Sequence, residues 1–393
     1  LSLAEAALLA GLPQAPSSYT PFGANPELAY ERQAEVLRRM VEDGYISQLQ
    51  ADQARQEKLV FNQNKTDIQA PHFVMYVRKL LALKYGEEVV AKGGLEVKTS
   101  LDLDLQNQAQ TIVSAEVEKL KNFKISNGAA LVTNPKTGEI LAMVGGANYY
   151  DFVHDGQVNV TIRPRQTGSS IKPLTYALAF EKGKNAASII EDAPVVYQIP
   201  GSKPYAPKNY DGRFHGRVTL REALASSYNI PAVKLAAELG VNNLIDKAEA
   251  LGITTWQDRK RFGLSLTLGA GEVLMTELAT VYSSFANLGY PVPLNPFLEI
   301  SNYKGEILYR NQCALDTSNC YENLELSPKA AYLITDILID NQARTPAFGA
   351  FSVLQIPNQQ VAVKTGTTNS MKDNWTIGYV SDRLVATWVG NND

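Results

Sequence analysis

Three short stretches contain the residue types needed to turn a serine into a nucleophile: Ser169-Ser-Ile-Lys172, Ser227-Tyr-Asn229 and Lys364-Thr-Gly366. A serine hydroxyl attacks slowly unless a base within hydrogen-bond reach takes its proton. The only histidines, His72, His154 and His215, are scattered along the chain and form no convincing Ser-His-Asp arrangement. A lysine must then serve. Its pKa has to fall for that, and burial beside a second cation lowers it. Lys172 and Lys364 meet this requirement if they converge, with Ser227 passing protons between them.

Spacing alone does not single these residues out. At ordinary composition a Ser and a Lys three apart arise about once by chance. Ser301-Asn-Tyr-Lys304 has that spacing too, and Lys136-Thr-Gly138 repeats the third stretch. The flanking residues discriminate. Gly305 follows Lys304 between two β-like runs, so a hairpin turn would leave that lysine in water. Asn134-Pro135 before Lys136 is turn chemistry. Ser169 instead follows Gly168 and leads into Ile171-Lys-Pro-Leu-Thr-Tyr-Ala-Leu-Ala-Phe, a helix with proline in its first turn. Such a helix puts Ser169 and Lys172 on one face. Its N-terminus offers backbone N–H groups and a positive dipole end to a developing oxyanion. Lys364 follows Val361-Ala-Val and is expected to leave a strand facing a cleft. The plainer roles are a cap or turn pair for Ser227 and Asn229, strand threonines for Thr365 and Thr367, and a solvated strand-edge lysine for Lys364.

The elements that must position these residues can be read from periodicity. Residues 1–60 read as helical: Pro26 stands near a helix start, apolar Leu28, Ala34, Val36, Leu37 and Met40 follow at helical spacing, and a second helix is expected from Ser47 through Ala54. Polar residues 62–71, ending in proline, make a linker. A small α/β segment follows, with a helix over 72–85, a strand at 95–100 and a helix over 103–120. Two apolar runs around Asn134-Pro-Lys-Thr-Gly138 predict a hairpin in a covered sheet. Helices are expected over 276–288 and 328–340, then strands at 360–363, 375–380 and 384–389. Strands at both ends with helices between them imply one sheet whose parts come from distant sequence.

Length and composition bound the rest. The 393 residues suffice for two or three domains, and 45% apolar with 20% charged residues is ordinary for a globular protein. A net charge of -3 argues against a nucleic-acid footprint, which needs a basic face. No run approaches the ~18 apolar residues of a spanning helix. Because Leu1 falls inside an apparent helix, a preceding segment with its targeting information is expected to be missing. Two cysteines, Cys313 and Cys320, sit in a polar, loop-like stretch; a local disulfide is favoured over two unpaired thiols, and ligands for zinc are too few.

Taken in order, Gly168-Ser-Ser-Ile-Lys-Pro173, Ser227-Tyr-Asn229 and Lys364-Thr-Gly-Thr-Thr368 resemble the three motifs of penicillin-binding proteins and serine β-lactamases. Surrounding text resembles the bifunctional class A penicillin-binding proteins: Leu3-Ala-Glu-Ala-Ala-Leu-Leu-Ala-Gly-Leu-Pro-Gln-Ala-Pro16, Asn134-Pro-Lys-Thr-Gly-Glu-Ile-Leu-Ala-Met-Val-Gly145, Val218-Thr-Leu-Arg-Glu-Ala-Leu-Ala-Ser-Ser-Tyr-Asn-Ile-Pro-Ala-Val233 and Asp373-Asn-Trp375. The resemblance implies an α/β fold of the α+β type, with a helix-covered sheet. It divides the chain into a C-terminal remnant of a helical glycosyltransferase-like domain (1–65), a small α/β linker domain (66–125) and a transpeptidase domain (126–393) that is C-terminally incomplete.

By this likeness Ser169 is the nucleophile that attacks the penultimate D-Ala carbonyl of a peptidoglycan stem peptide and releases D-Ala. Lys172 is the base, and Ser227 and Lys364 relay the proton. Asn229, Thr365, Gly366 and Thr367 bind substrate, with the backbone N–H groups of Ser169 and Thr367 as oxyanion hole. An amine of a second stem peptide accepts the acyl group. β-Lactams are expected to trap the serine, with no cofactor or metal needed. The cell-wall synthesis machinery is the expected partner, on the extracytoplasmic face of a bacterial membrane, held by an anchor upstream of Leu1. Glycan polymerisation is not expected from this chain. Two other readings compete: a hydrolase that passes the same acyl group to water, and a wall-binding or β-lactam-sensing module that stays acylated. His215 receives no role, and Trp375 is assigned equally to the cleft wall or to the core.

Overall fold

The computed structural model describes residues 1–392 except 17, 23–24, 62–67, 152–153, 199–200, 202 and 369–371. The chain forms two compact units, Leu1–Asp67 and Ile68–Asp393. Most of the 62–71 segment expected as a linker lies outside the described residues.

Among its described residues the first unit has three α-helices, Leu3–Gly11, Glu27–Glu42 and Gln48–Gln56, and a 3₁₀ turn, Leu12–Gln14. Ser2 with Glu5 and Ser47 with Gln50 form reciprocal capping boxes that start the first and third. Pro26 caps the second, where its fixed φ suits a helix start. Ala4, Ala7, Leu37, Ala51 and Ala54 make its small core. Gln33 is buried beside it, and its Nε2 donates to the Ala4 carbonyl at 2.8 Å, so the buried amide has a partner.

Among the described residues every strand lies in the second unit. In chain order they are β1 (Leu95–Thr99), β2 (Asn127–Thr133), β3 (Ile140–Val144), β4 (Arg165–Gln166), β5 (Ile189–Asp192), β6 (Gly216–Thr219), β7 (Glu272–Val273), β8 (Phe297–Asn302), β9 (Ile307–Arg310), β10 (Ala362–Thr367), β11 (Asn374–Tyr379) and β12 (Leu384–Gly390). Five of them form an antiparallel sheet in the order β10-β11-β12-β2-β3. The β12–β2 pairing, Leu384 opposite Thr133 through Gly390 opposite Asn127, joins segments about 250 residues apart and closes the sheet expected from the sequence. Every residue of β2 is buried, as a strand covered on both faces must be. The helix Leu103–Leu120 lies on one face, where a Cβ at Gly128 would meet Val117 and Val113. The helices Met275–Ala286 and Pro328–Ile339 pack against β2, β12 and β10.

β1 pairs with β8, and β8 with β9, in a second sheet. β4 with β7 and β5 with β6 form two short ladders. The helix Pro71–Tyr85 begins one residue earlier than expected, because proline is tolerated in a first turn. Two local readings need correction. Lys364 does not leave a strand: it lies within β10, opposite Ile377, and the Thr-Gly-Thr after it is also paired. The cysteine stretch is not loop but two short helical turns, Gln312–Leu315 and Thr317–Cys320, started by Asn311 and Asp316 side chains. Cys313 and Cys320 are joined there as a disulfide, with Cα atoms 5.0 Å apart.

Candidate active site

The helix Lys172–Glu181 is buried from Lys172 through Phe180, and its apolar residues need cover all round. A single 3₁₀ turn, Gly168–Ile171, delivers the chain into it, so Ser169 sits on that turn rather than inside the helix. The turn is held from three sides. Tyr282 Oη donates to the Ser170 carbonyl at 2.7 Å, Trp375 Nε1 to the Gln166 carbonyl at 2.9 Å, and Ser170 Oγ to the Thr167 carbonyl at 2.8 Å. Trp375 is thereby a core residue, fully buried, and the cleft-wall alternative falls.

Glycines let the backbones meet. Gly168 has φ +53°, and a Cβ there would stand 2.5 Å from the Thr367 carbonyl oxygen of β10. A Cβ at Gly366 would stand 2.3 Å from the Thr167 oxygen. Gly366 is thus the point where β10 lies against the serine turn, and it does not line the cleft. The cleft has a volume of about 500 Å³, and its lining includes Ser169, Ser227, Asn229, Thr365 and Thr367.

Both lysines lie beneath this floor, Lys172 fully buried and Lys364 3% exposed. Lys364 Nζ donates to Ser227 Oγ at 2.8 Å and to the Thr365 carbonyl at 2.8 Å. Lys172 Nζ lies 3.4 Å from the same Ser227 hydroxyl. Its closer partners are the Ser227 carbonyl, Asn229 Oδ1 at 2.7 Å and the Tyr228 carbonyl at 3.1 Å. Ser169 Oγ is not among the partners of Lys172; the fold brings the two lysines together through Ser227 instead. Ser227 has φ +62° without being glycine, a conformation most side chains avoid.

Electrostatics follow from burial. Desolvation drives Lys172 well below the ordinary lysine pKa; Lys364 lowers it further, while Asp192 opposes the fall. Lys364 is brought down to about 7, mainly by burial and then by the guanidinium of Arg344. Arg344, 3% exposed on the helix Asn341–Phe348, had no motif to reveal it. Asp192, Asn209 and His215 were also missed: the second stretch rests on them, and no local spacing in the sequence announces that.

The look-alike stretches are placed as their flanks suggested. Ser301 is a strand residue of β8 opposite Glu96, and Lys304 is exposed in the β8–β9 turn with Gly305 at φ +79°. Lys136-Thr-Gly138 is a turn in which the Gly138 N–H donates to the Asn134 carbonyl at 2.9 Å. Among the described residues, no group of three or more His, Cys, Asp or Glu is placed to hold a metal ion, and no helix is long and apolar enough to cross a membrane.

Residues 128–392 match the family model of the penicillin binding protein transpeptidase domain. The chain is 29% identical to penicillin-binding protein 1A of Neisseria lactamica over 99% of its own length and 61% of that protein. It is 31% identical to penicillin-binding protein 2D of Bacillus subtilis over 99% of its length and 55% of that protein. It therefore spans little more than half the length of these relatives. The crystal structure of penicillin-binding protein 1A from Haemophilus influenzae superposes with a TM-score of 0.74 at 24% identity, covering 100% of this chain and 76% of that one. This last likeness speaks to the fold.

Proposed function

Since this chain belongs to the penicillin-binding protein transpeptidase family, we propose that it cross-links peptidoglycan stem peptides through an acyl-enzyme on Ser169. The observation that carries this reading is the meeting of two buried lysines on the Ser227 hydroxyl, under a cleft that Ser169 lines. As an ammonium, Lys172 has three N–H groups for three close acceptors. Once neutral it has two, so one acceptor is released and its lone pair is free to take the Ser169 proton. Burial makes that neutral form accessible. Ser169 then attacks the penultimate D-Ala carbonyl. Collapse of the tetrahedral intermediate breaks the peptide bond, and Lys364 protonates the departing D-Ala amine through Ser227. Asn229 orients the donor's amide, Thr365 and Thr367 hold its terminal carboxylate, and the N–H groups of Ser169 and Thr367 receive the oxyanion. The acyl group passes to the amine of a second stem peptide, and a β-lactam is trapped by the same serine.

We extend the reading to the whole chain. Residues 1–65 are the end of a glycosyltransferase-like domain, 66–125 a linker domain and 126–393 the transpeptidase domain. The protein works with the cell-wall synthesis machinery on the outer side of the cytoplasmic membrane. The test is incubation with a D-Ala-D-Ala stem peptide and an amine acceptor, followed by mass analysis. Cross-linked product with loss of D-Ala is expected; hydrolysed donor alone would replace transpeptidation by hydrolysis. Peptide mapping after labelling with penicillin should place the adduct on Ser169 and on no other serine, and label on Ser301 would show the nucleophile to be misassigned.

The relay also predicts a pH dependence. Lys364 must carry its proton to donate through Ser227, so acylation should decline as pH rises through about 7. Arg344→Met removes a cation that lowers this pKa. The pKa should rise and the alkaline decline should move to higher pH, whereas Arg344→Lys should leave it in place. Rates of penicillin labelling from pH 5 to 10 would show this, and an unmoved decline in Arg344→Met would remove Lys364 from the relay.

A further inference from the structure

Behind the Ser227-Tyr-Asn229 stretch a chain of partly and fully buried polar contacts leads from Lys172 to residues that the proposed chemistry does not use. Lys172 Nζ donates to Asn229 Oδ1 at 2.7 Å. The Asn229 and Ile230 N–H groups, at the start of the helix Asn229–Leu239, donate to Asn209 Oδ1 at 2.8 and 3.3 Å. Asn209 Nδ2 donates to Asp192 Oδ2 at 2.7 Å. The same carboxylate oxygen accepts the His215 N–H at 3.0 Å and Nδ1–H at 2.6 Å. The His215 ring then lies flat on Tyr228, centroids 3.9 Å apart and planes 10° from parallel. Since the Tyr228 carbonyl is itself a partner of Lys172, the circuit closes on the lysine from which it began. Asp192 is fully buried at the end of β5, and its other oxygen, Oδ1, has no hydrogen-bond partner among the described residues. A buried carboxylate with a bare oxygen is costly, and the rest of the fold must offset that cost.

We propose that Asp192 is a positioning residue for this active site: through Asn209 and His215 it clamps Ser227-Tyr-Asn229 in the conformation that meets Lys172. The proposal rests on Lys172 acting as the base for Ser169. The ionisable groups concerned are few. Lys172 faces Lys364, which has Arg344 behind it, and Asp192. Asp192 acts on Lys172, Tyr176 and Tyr228 and holds His215, whose Nε2 stands 3.2 Å from Asp211 Oδ2. Buried Tyr176 is held above its ordinary value by desolvation and by Asp192, so it stays neutral.

Two variants pull the lysine in opposite directions. Asp192→Asn keeps the side-chain shape and removes the charge that holds a proton on Lys172, so the acid limb of penicillin acylation should move to lower pH. His215→Phe keeps a ring on Tyr228 but strips a donor from Asp192. The less neutralised carboxylate then acts more strongly on Lys172, and the limb should move to higher pH. Both should lower the plateau rate, by up to about 10²-fold, because the clamp is loosened. The experiment is the second-order rate of penicillin labelling of Ser169 against pH in the purified chain, with thermal unfolding run in parallel. Opposite shifts support the proposal. Plateau rates that fall with the acid limb unmoved in both variants overturn it, since a purely structural role predicts that result; so do wild-type rates throughout. If Asp192→Asn does not fold, the direction of the His215→Phe shift decides alone. Absence of label on Ser169 in the wild-type chain would refute the acyl-enzyme reading, and this proposal would fall with it.

Discussion

Lys172→Ala should slow the acylation of Ser169 by penicillin by about 10²–10⁴-fold, the usual contribution of a positioned base. The variant loses the amine that burial and Lys364 make easy to deprotonate. Lys364 Nζ is engaged elsewhere, by Ser227 Oγ and the Thr365 carbonyl, each at 2.8 Å. The Ser227 and Tyr228 carbonyls and Asn229 Oδ1 lose their shared donor, so thermal unfolding has to show that the variant is folded. The control is Lys304→Ala, at an exposed turn on the strand pair that carries the look-alike serine, which should label at the wild-type rate. A folded Lys172→Ala that acylates within a few-fold of wild type would mean that another group takes the Ser169 proton.

The second large effect is expected at a residue that performs no chemistry. Gly168→Ala must place a Cβ where backbone atoms of Thr367 already stand, with N, C and O all within 2.8 Å, and it must hold φ +53°. An L-residue in the left-handed region costs roughly 1–2 kcal/mol, and forcing atoms into a packed interior costs typically ~1–3 kcal/mol more. The turn has little freedom to retreat, because a Cβ at Gly269 would already lie 2.2 Å from the Gly168 nitrogen, showing how closely that segment presses from behind. Relief must come from moving Ser169 away from β10, and with it away from the Thr367 N–H. We expect a stability loss of about 2–5 kcal/mol, together with a fall in acylation of about 10²-fold, the scale of a 1 Å misplacement. Gly183→Ala isolates the backbone part: φ is +94° there and nothing lies within 4 Å of the added carbon. Chemical denaturation and labelling rates on the two variants separate the effects. If Gly168→Ala behaves as Gly183→Ala does, the approach of turn to strand is not the constraint described.

What the sequence determined by itself was local. A proline in a first turn, an apolar run without polar breaks and a glycine before a serine are instructions that neighbouring residues read. They located the helix after Ser169, the helix Leu103–Leu120 and the strands of the main sheet, and they set Ser301 and Lys136 apart from Ser169 and Lys364. They also made plain which residue types the chemistry requires. Only the tertiary structure decided how those types meet. Lys364 and Ser227 are 137 positions apart, and their 2.8 Å contact depends on the closing of β12 onto β2 and the packing of β10 on the serine turn. The same holds for Arg344 beside Lys364, and for Asp192 and His215 behind Tyr228, which carry no spacing signature. The physical reason is that a pKa answers to burial and to charges within a few ångströms, wherever along the chain they originate. Position on a helix face is set by residues three and four away. The electrostatic poise of a buried lysine is set by whatever the fold places around it.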